Sequence, residues 1–342
     1  LAHFDRALAE CPDFAEAYCN LGFLQNKLAD FEASEASCQR AIALKPELVE
    51  AHNNLGITLN DQVRIDEAIA SYRRALEIAP DYEDCFSNLL FSLNYHPDLS
   101  PEEIFAEYQA YDARFGLPLR SSWKPHTNSR LPGKRLKIGY VSPDFRHHSC
   151  RHFIEPVLAN HDRTVLELYA YAELTVEDAV TRRYKGYVDH WIPTRGMSDA
   201  VLAERIMADG IDILVDLAGH TAGNRLGVFA RRPAPVSLTW LGYGYTSGLT
   251  AIDYILTDHA SAPPGSDGLF AEKPWRMENP GYVYRPAEGM GNVGSLPAAE
   301  RGYITFGSLT RSVRINDHVI RVWSEILRKV PGSRLMIDSK QF

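Results

Sequence analysis

The sequence predicts an all-α helical-repeat superhelix over roughly its first hundred residues, followed by α/β lobes built on mainly parallel sheets. Three observations carry this. Pro12, Pro46 and Pro80 recur at a step of 34 residues, as do Ala7, Ala41 and Ala75. From Leu136 onward, short apolar runs alternate with helical patterns. Between the two lies a polar segment rich in Pro and Ser, from Pro118 to Pro132.

The same step links Asn20-Leu21, Asn54-Leu55 and Asn88-Leu89, with Gly22 and Gly56 one residue after the Leu. This pattern resembles the tetratricopeptide repeat, in which each unit is two antiparallel helices. Small residues let the helices approach, and Pro marks where the second helix ends. About two full repeats, an opening half and a degenerate last one are expected, so the arm is expected to continue upstream of Leu1. Asn20, Asn54 and Asn88 recur at one place on successive first helices. As an amide ladder they would grip the main chain of a peptide partner; alternatively, they hydrogen-bond neighbouring repeats.

His96 to Glu103 reads as a turn and helix start, and Ile104 to Phe115 as a linker helix. In the lobe, Leu136–Val141, Leu166–Ala172, Asp189–Ile192, Ile211–Leu217, Val236–Leu241 and Tyr254–Thr257 read as strands. Val176–Tyr187, Ser198–Ala208 and Asn224–Arg231 read as helices. That order predicts a mainly parallel sheet with helices on both faces. No G-x-G-x-x-G or P-loop follows any strand, which disfavours a dinucleotide dehydrogenase or an NTPase.

Composition narrows the class further. No apolar run is long enough to span a membrane, and the N-terminus has no signal-peptide pattern. The five cysteines are odd in number and scattered through helical patterns, which suits reduced thiols and a cytoplasmic protein. The net charge of −8 is uneven: residues 1–100 carry 7 Lys/Arg against 17 Asp/Glu, leaving 29 against 27 for the remainder. No basic face asks for nucleic acid, and the acidic arm suits either basic protein partners or a solvated surface.

Chemistry is expected at the exit of the first strand, where KRLKIGYVSPDFRHHSCRHFIEP (134–156) places His147, His148 and His152. In open α/β sheets the loops at the carboxyl ends of strands line the ligand crevice. His148 and His152, with Cys150 between them, allow a metal reading. A closed site needs more ligands, and no second His/Cys cluster follows at a zinc-like spacing, so no metal is expected. The remaining readings are an imidazole acting near neutral pH as acid, base or donor, and histidines that pack or cap a helix start.

Four segments then bear on family. R-L-K-I-G-Y-V-S-P-D-F-x-x-H at 135–148, D-L-A-G-H-T-A-G-N at 216–224, R-P-A-P at 232–235 and W-L-G-Y-G-Y-T-S-G at 240–248 follow the repeats in order. Together they resemble the O-linked N-acetylglucosamine transferases, glycosyltransferase family 41, particularly the bacterial members. The resemblance implies a tetratricopeptide superhelix followed by Rossmann-like lobes of a GT-B glycosyltransferase. The expected domains are repeats at 1–94, a linker helix and loop at 95–133, an N-terminal catalytic lobe at 134–296, and the start of a nucleotide-sugar lobe at 297–342.

It further implies His148 as the active-site histidine, acting as general base or positioning the donor. His220 is implied as a second catalytic candidate on a loop facing the cleft. Gly242, Thr246, Ser247 and Gly248 match the acceptor and sugar loop, although Gly244 and Tyr245 stand where the family usually carries Pro and Gly. Thr310 to Asp317, ahead of a helix from His318 to Val330, resembles the donor diphosphate site, with Arg314 and Arg311 as ligands; either Arg would otherwise serve a surface ion pair. The implied reaction is inverting, metal-independent transfer of N-acetylglucosamine from UDP-N-acetylglucosamine to Ser/Thr of proteins recruited by the repeats. It needs no cofactor and involves neither nucleic acid nor membrane. A related transferase using another nucleotide sugar such as GDP-fucose, or a non-catalytic protein-binding module, are the alternatives. The nucleotide pocket is expected beyond Phe342, so the 342-residue chain alone is expected to be inactive.

Overall fold

The structure, a computed structural model, describes residues 1–287 and 289–338. It forms two compact units: Leu1–Leu99 with Gly289–Phe342, and Ser100–Glu288.

The first unit begins with six helices: α1 (Ala2–Glu10), α2 (Ala15–Lys27), α3 (Phe31–Leu44), α4 (Val49–Asp61), α5 (Ile65–Ile78) and α6 (Glu83–Leu93). The helices α1, α3 and α5 each end two residues before one of the periodic prolines, because a ring without an N–H cannot continue the ladder. The glycines of the repeat sit where helices touch. A Cβ on Gly22 would lie 2.6 Å from Cys38 Sγ, and one on Gly56 would lie 2.5 Å from the Tyr72 ring. Ala15, Cys19, Ala41, Leu48 and Ala51 form the core of this contact. The buried Ser34 hydroxyl bridges repeats, donating to the Gly22 carbonyl at 2.7 Å and lying 2.8 Å from Thr58 Oγ1. Cys19, Cys38 and Cys85 are buried free thiols.

The second unit opens with α7 (Pro101–Tyr111), which Ser100 and Glu103 start with a reciprocal capping box. This helix, expected to be a linker, packs into the α/β unit: Tyr108 and Tyr111 are fully buried. Seven strands follow: β1 (Leu136–Ser142), β2 (Leu166–Ala172), β3 (His190–Pro193), β4 (Ile213–Asp216), β5 (Val236–Thr239), β6 (Tyr254–Asp258) and β7 (Lys273–Met277). They form one parallel sheet in the order β3-β2-β1-β4-β5-β6-β7. The order reverses between β1 and β4, which makes their carboxyl ends the topological switch point.

The connecting helices are α8 (Arg151–Ala159), α9 (Ala179–Tyr187), α10 (Asp199–Asp209) and α11 (Leu226–Ala230). Phe145, Ile154, Leu168, Val180, Tyr184, Val215 and Trp240 are among the side chains of the core cluster between sheet and helices.

The last part of the first unit holds α12 (Pro297–Arg301), β8 (Thr305–Ser308), α13 (Asp317–Lys329) and β9 (Arg334–Ile337), with β8 and β9 paired in parallel. Among the described residues, no helix is long and apolar enough to cross a membrane.

Candidate functional site at the sheet switch point

Two loops leave the switch point. The first runs from the end of β1 into α8. Ser142 Oγ accepts the Asp144 N–H at 3.0 Å and turns the chain out of the strand, while Asp178 accepts the His147 N–H at 2.6 Å. Asp144 is buried, and His148, whose side chain is 36% exposed, stands over it with Nδ1 3.5 Å from Asp144 Oδ2. The Cys150 N–H approaches the same nitrogen at 3.4 Å. Nδ1 accepts this amide, so the Cys150 N–H sets the ring beside the buried carboxylate while the imidazole remains open to solvent, as a group that meets a ligand must be. Of the three histidines on this loop, His148 alone has the buried carboxylate beneath it; His147 is exposed, and His152 lies on the first turn of α8.

Asp144, His148 and Cys150 also bring one possible metal-binding atom each to within 4.8 Å of one another. Burial pushes the Cys150 thiol up to about 11, so it stays protonated near neutral pH. Three donor residues are fewer than the four a closed structural zinc site takes.

The second loop leaves β4. Asp216, fully buried, accepts the N–H groups of Ala218 and Gly219 and the Thr239 hydroxyl, which fixes the turn; burial pushes its pKa up. This loop delivers His220 inward. The imidazole is 3% exposed and lies edge-on to Tyr108, Tyr111 and Tyr243, with ring centroids at 5.5, 4.7 and 5.4 Å. Nε2 lies 2.8 Å from the Ser247 carbonyl, which can only accept, so Nε2 carries the hydrogen. Burial pushes the His220 pKa down to about 4, and the ring is neutral under ordinary conditions. Where a loop facing the cleft is expected, the His220 ring lies beneath three aromatic rings, and its bond to the Ser247 carbonyl positions the loop containing Ser247.

The 242–248 loop, expected to meet the acceptor and sugar, is tied down by buried bonds. Thr246 and Ser247 are buried, and both hydroxyls donate to the carboxylate of Glu272, which also accepts the Ser247 N–H at 2.7 Å. Glu272 is itself 2% exposed, and burial pushes its pKa up. These bonds hold the loop. Gly242 is required by close approach: a Cβ there would sit 2.0 Å from the Leu217 carbonyl. Gly248 has φ +77° and lies over the Tyr108 carbonyl, so Ala is excluded there on both counts.

In the first unit, the start of α13 bears the expected diphosphate ligands. Asn316 caps α13 by accepting the Val319 N–H at 3.0 Å. Arg314 is exposed and stacks over the Tyr95 ring at 5.7 Å. Arg311, 51% exposed, lies 3.5 Å from Asp61. Both guanidiniums therefore have weak, solvent-exposed partners that an anion could displace. Along the arm, the Asn54 amide donates to the Cys19 carbonyl and sulfur at 3.3 Å each, and the Asn88 amide to Asn53 at 3.0 Å. These two Asn residues serve inter-repeat bonding, whereas Asn20 is exposed.

Sequence reading missed Tyr108, Tyr111, Asp144 and Glu272. The Tyr108/Tyr111/Phe115 spacing along one helix face is the signal for the first two. Glu272 had none, since its partners lie some 25 residues away in the chain.

The architecture defines a class, a helical-repeat arm joined to the Rossmann-like lobe of a GT-B glycosyltransferase. Residues 119–284 match the model described as Glycosyl transferase family 41, and residues 15–48 and 49–82 match tetratricopeptide repeat models. The chain thus carries tetratricopeptide repeats followed by a glycosyltransferase domain of family 41. It is similar to the probable UDP-N-acetylglucosamine–peptide N-acetylglucosaminyltransferase SPINDLY of Solanum lycopersicum, 38% identical over 256 residues, covering 73% of this chain and 27% of that protein. It is also similar to the UDP-N-acetylglucosamine–peptide N-acetylglucosaminyltransferase of Caenorhabditis elegans, 43% identical over 148 residues, 41% of this chain and 12% of that one. A solved structure of a mutant O-GlcNAc transferase from Thermobaculum terrenum superposes with a TM-score of 0.90 at 35% identity, covering 99% of this chain and 64% of that one. The chain spans about a quarter (27%) of the length of the first of these curated relatives.

Proposed function

We propose that this chain belongs to a cytoplasmic protein O-glycosyltransferase that moves N-acetylglucosamine from UDP-N-acetylglucosamine to Ser or Thr hydroxyls, with inversion and without a metal. The observation that carries the reading is His148, held over a buried Asp144 at the switch point of a family 41 lobe. In the reaction the bond from sugar C1 to the diphosphate oxygen breaks as the hydroxyl oxygen bonds C1 from the opposite face. The hydroxyl proton passes to His148 or to a donor phosphate oxygen, and the departing charge is stabilised by Arg314. Acceptor proteins are held by the repeats, whose model matches support a protein-binding arm.

The test is a radiolabelled transfer assay on the full-length parent protein with UDP-N-acetylglucosamine and EDTA, beside His148→Ala and a panel of nucleotide sugars. Label on Ser/Thr that survives EDTA and is lost in the variant is expected. Label from GDP-fucose alone would replace the donor, and no label from any donor would leave a binding module. Arg314→Ala is expected to slow turnover by about tenfold to a thousandfold, the range for removing a donor to a developing anion. Unchanged turnover would remove Arg314 from the reaction.

A further inference from the structure

Beyond the His148 loop, α8 and α9 meet the segment that follows β7 around a polar cavity of about 280 Å³. Arg151, His152 and Glu155 line it from α8, Arg183 and Tyr187 from α9, and Arg285 from the later segment. Its charge is unbalanced. Glu155, buried, takes a two-pronged bond from Arg183 at 2.7 and 3.0 Å and a bond from the Tyr187 hydroxyl at 3.3 Å. Arg183 foremost, against the opposing effect of burial, holds the Glu155 carboxyl below its ordinary range, so it is ionised. Among the described lining residues, one carboxylate thus stands among the guanidiniums of Arg151, Arg183 and Arg285. Among the described residues, neither Arg151 nor Arg285 forms an ion pair.

His152 joins the Arg151 side chain to the backbone of Arg285. Its Nδ1 lies 3.1 Å from the Arg285 carbonyl and so carries the hydrogen, while the Arg285 N–H donates to the His152 carbonyl at 2.7 Å. Nε2 is then the acceptor for Arg151 Nε–H at 3.2 Å. One imidazole therefore links the Arg151 side chain to the segment that carries Arg285, and the ring lies 5.9 Å from that of Tyr284. Bringing like charges together costs free energy unless an anion joins them. The cavity also opens at the first turn of α8, the positive end of a nine-residue helix that no side chain caps.

We propose that this cavity is a binding site for a phosphoryl dianion, gripped by the forks of Arg151 and Arg285 with Arg183 as the third charge. A guanidinium fork matches two phosphoryl oxygens at once, and two negative charges would balance the surplus. Neither the expected catalytic residues nor the expected diphosphate ligands belong to it. The anion would be either free phosphate or a phosphorylated side chain of a protein.

Isothermal titration calorimetry of the 342-residue chain with inorganic phosphate, and separately with a short phosphoserine peptide, tests this. Saturable one-to-one binding is expected, competed by sulfate but not by chloride at matched ionic strength. The double variant Arg151→Ala/Arg285→Ala should weaken it by at least about tenfold, as loss of charge-assisted bonds predicts. It leaves the Arg183–Glu155 pair in place, and an unchanged melting curve shows that the fold survives. Arg130→Ala, an exposed arginine elsewhere, should bind as the parent does. Tighter binding of the peptide would make the source a protein, and tighter binding of phosphate a free anion. No saturable binding of either at millimolar concentration, or binding undiminished in the double variant, overturns the proposal.

Discussion

His220 offers a prediction whose size follows from its surroundings. An imidazole in the unfolded chain titrates at about 6.5, whereas burial beneath three tyrosines holds the native one at about 4. Between these values the unfolded chain binds more protons than the native one, so native stability falls as pH drops from 6.5 toward 4 and is fully present above that window. Integrating the difference gives about 2 kcal/mol lost by pH 5, relative to about pH 8, and about 3 kcal/mol by pH 4. The ring is fully enclosed, so solvent screening does not dilute the effect. His220→Gln keeps an N–H for the Ser247 carbonyl and removes the titration. Urea unfolding of both proteins at about pH 8 and about pH 5 isolates the term, because the other titrating groups cancel in the comparison. The parent should lose about 2 kcal/mol more than the variant over that interval. Equal losses would show that His220 is not a buried neutral imidazole, and the positioning role assigned to it would fall.

Gly242→Ala drives a Cβ into the Leu217 carbonyl at 2.0 Å, while Gly244→Ala meets nothing within 4 Å. Thermal melts should show the first destabilised by more than about 2 kcal/mol and the second by less than about 0.5 kcal/mol. Glu272→Ala strands two hydroxyls and one amide in a buried site and should cost about 3 kcal/mol or more in urea unfolding, with a cost below about 1 kcal/mol refuting the clamp. Asn54→Ala should cost about 1 kcal/mol through its bond to Cys19, and the exposed Asn20→Ala no more than about 0.5 kcal/mol. Equal costs would mean that the inter-repeat bond adds no stability.

Much of this architecture is legible in the sequence because it is repetitive or local. The proline step survives as a set of helix ends, and β2 occupies the very residues whose alternation marks it, Leu166–Ala172. The strand β7 escaped because Lys273-Pro274-Trp275-Arg276-Met277 has neither alternation nor an apolar run; it is the edge of the sheet and needs only one partner. The helix α7 looked like a spacer because its apolar face is made of tyrosines, whose burial depends on a lobe more than a hundred residues later. The hydroxyl of Tyr108 meets that of Tyr243 at 2.5 Å. Burial of this kind is a tertiary fact, and no window along the chain contains it.

The same limit explains why His148 and His220 cannot be told apart in the sequence. Both follow a strand at the switch point, both lie four residues after an aspartate, and both match the family pattern. Their chemistry diverges through what covers them. Asp144 lies under His148, 3.5 Å from its Nδ1, and leaves the ring open to solvent. Asp216 instead spends its oxygens on the amides of Ala218 and Gly219 and the hydroxyl of Thr239. The turn it fixes sends that ring under Tyr108 and Tyr111, where its Nε2–H bonds the Ser247 carbonyl. A residue type and a motif position select candidates; the folded chain sets which of them is covered and which is open to solvent.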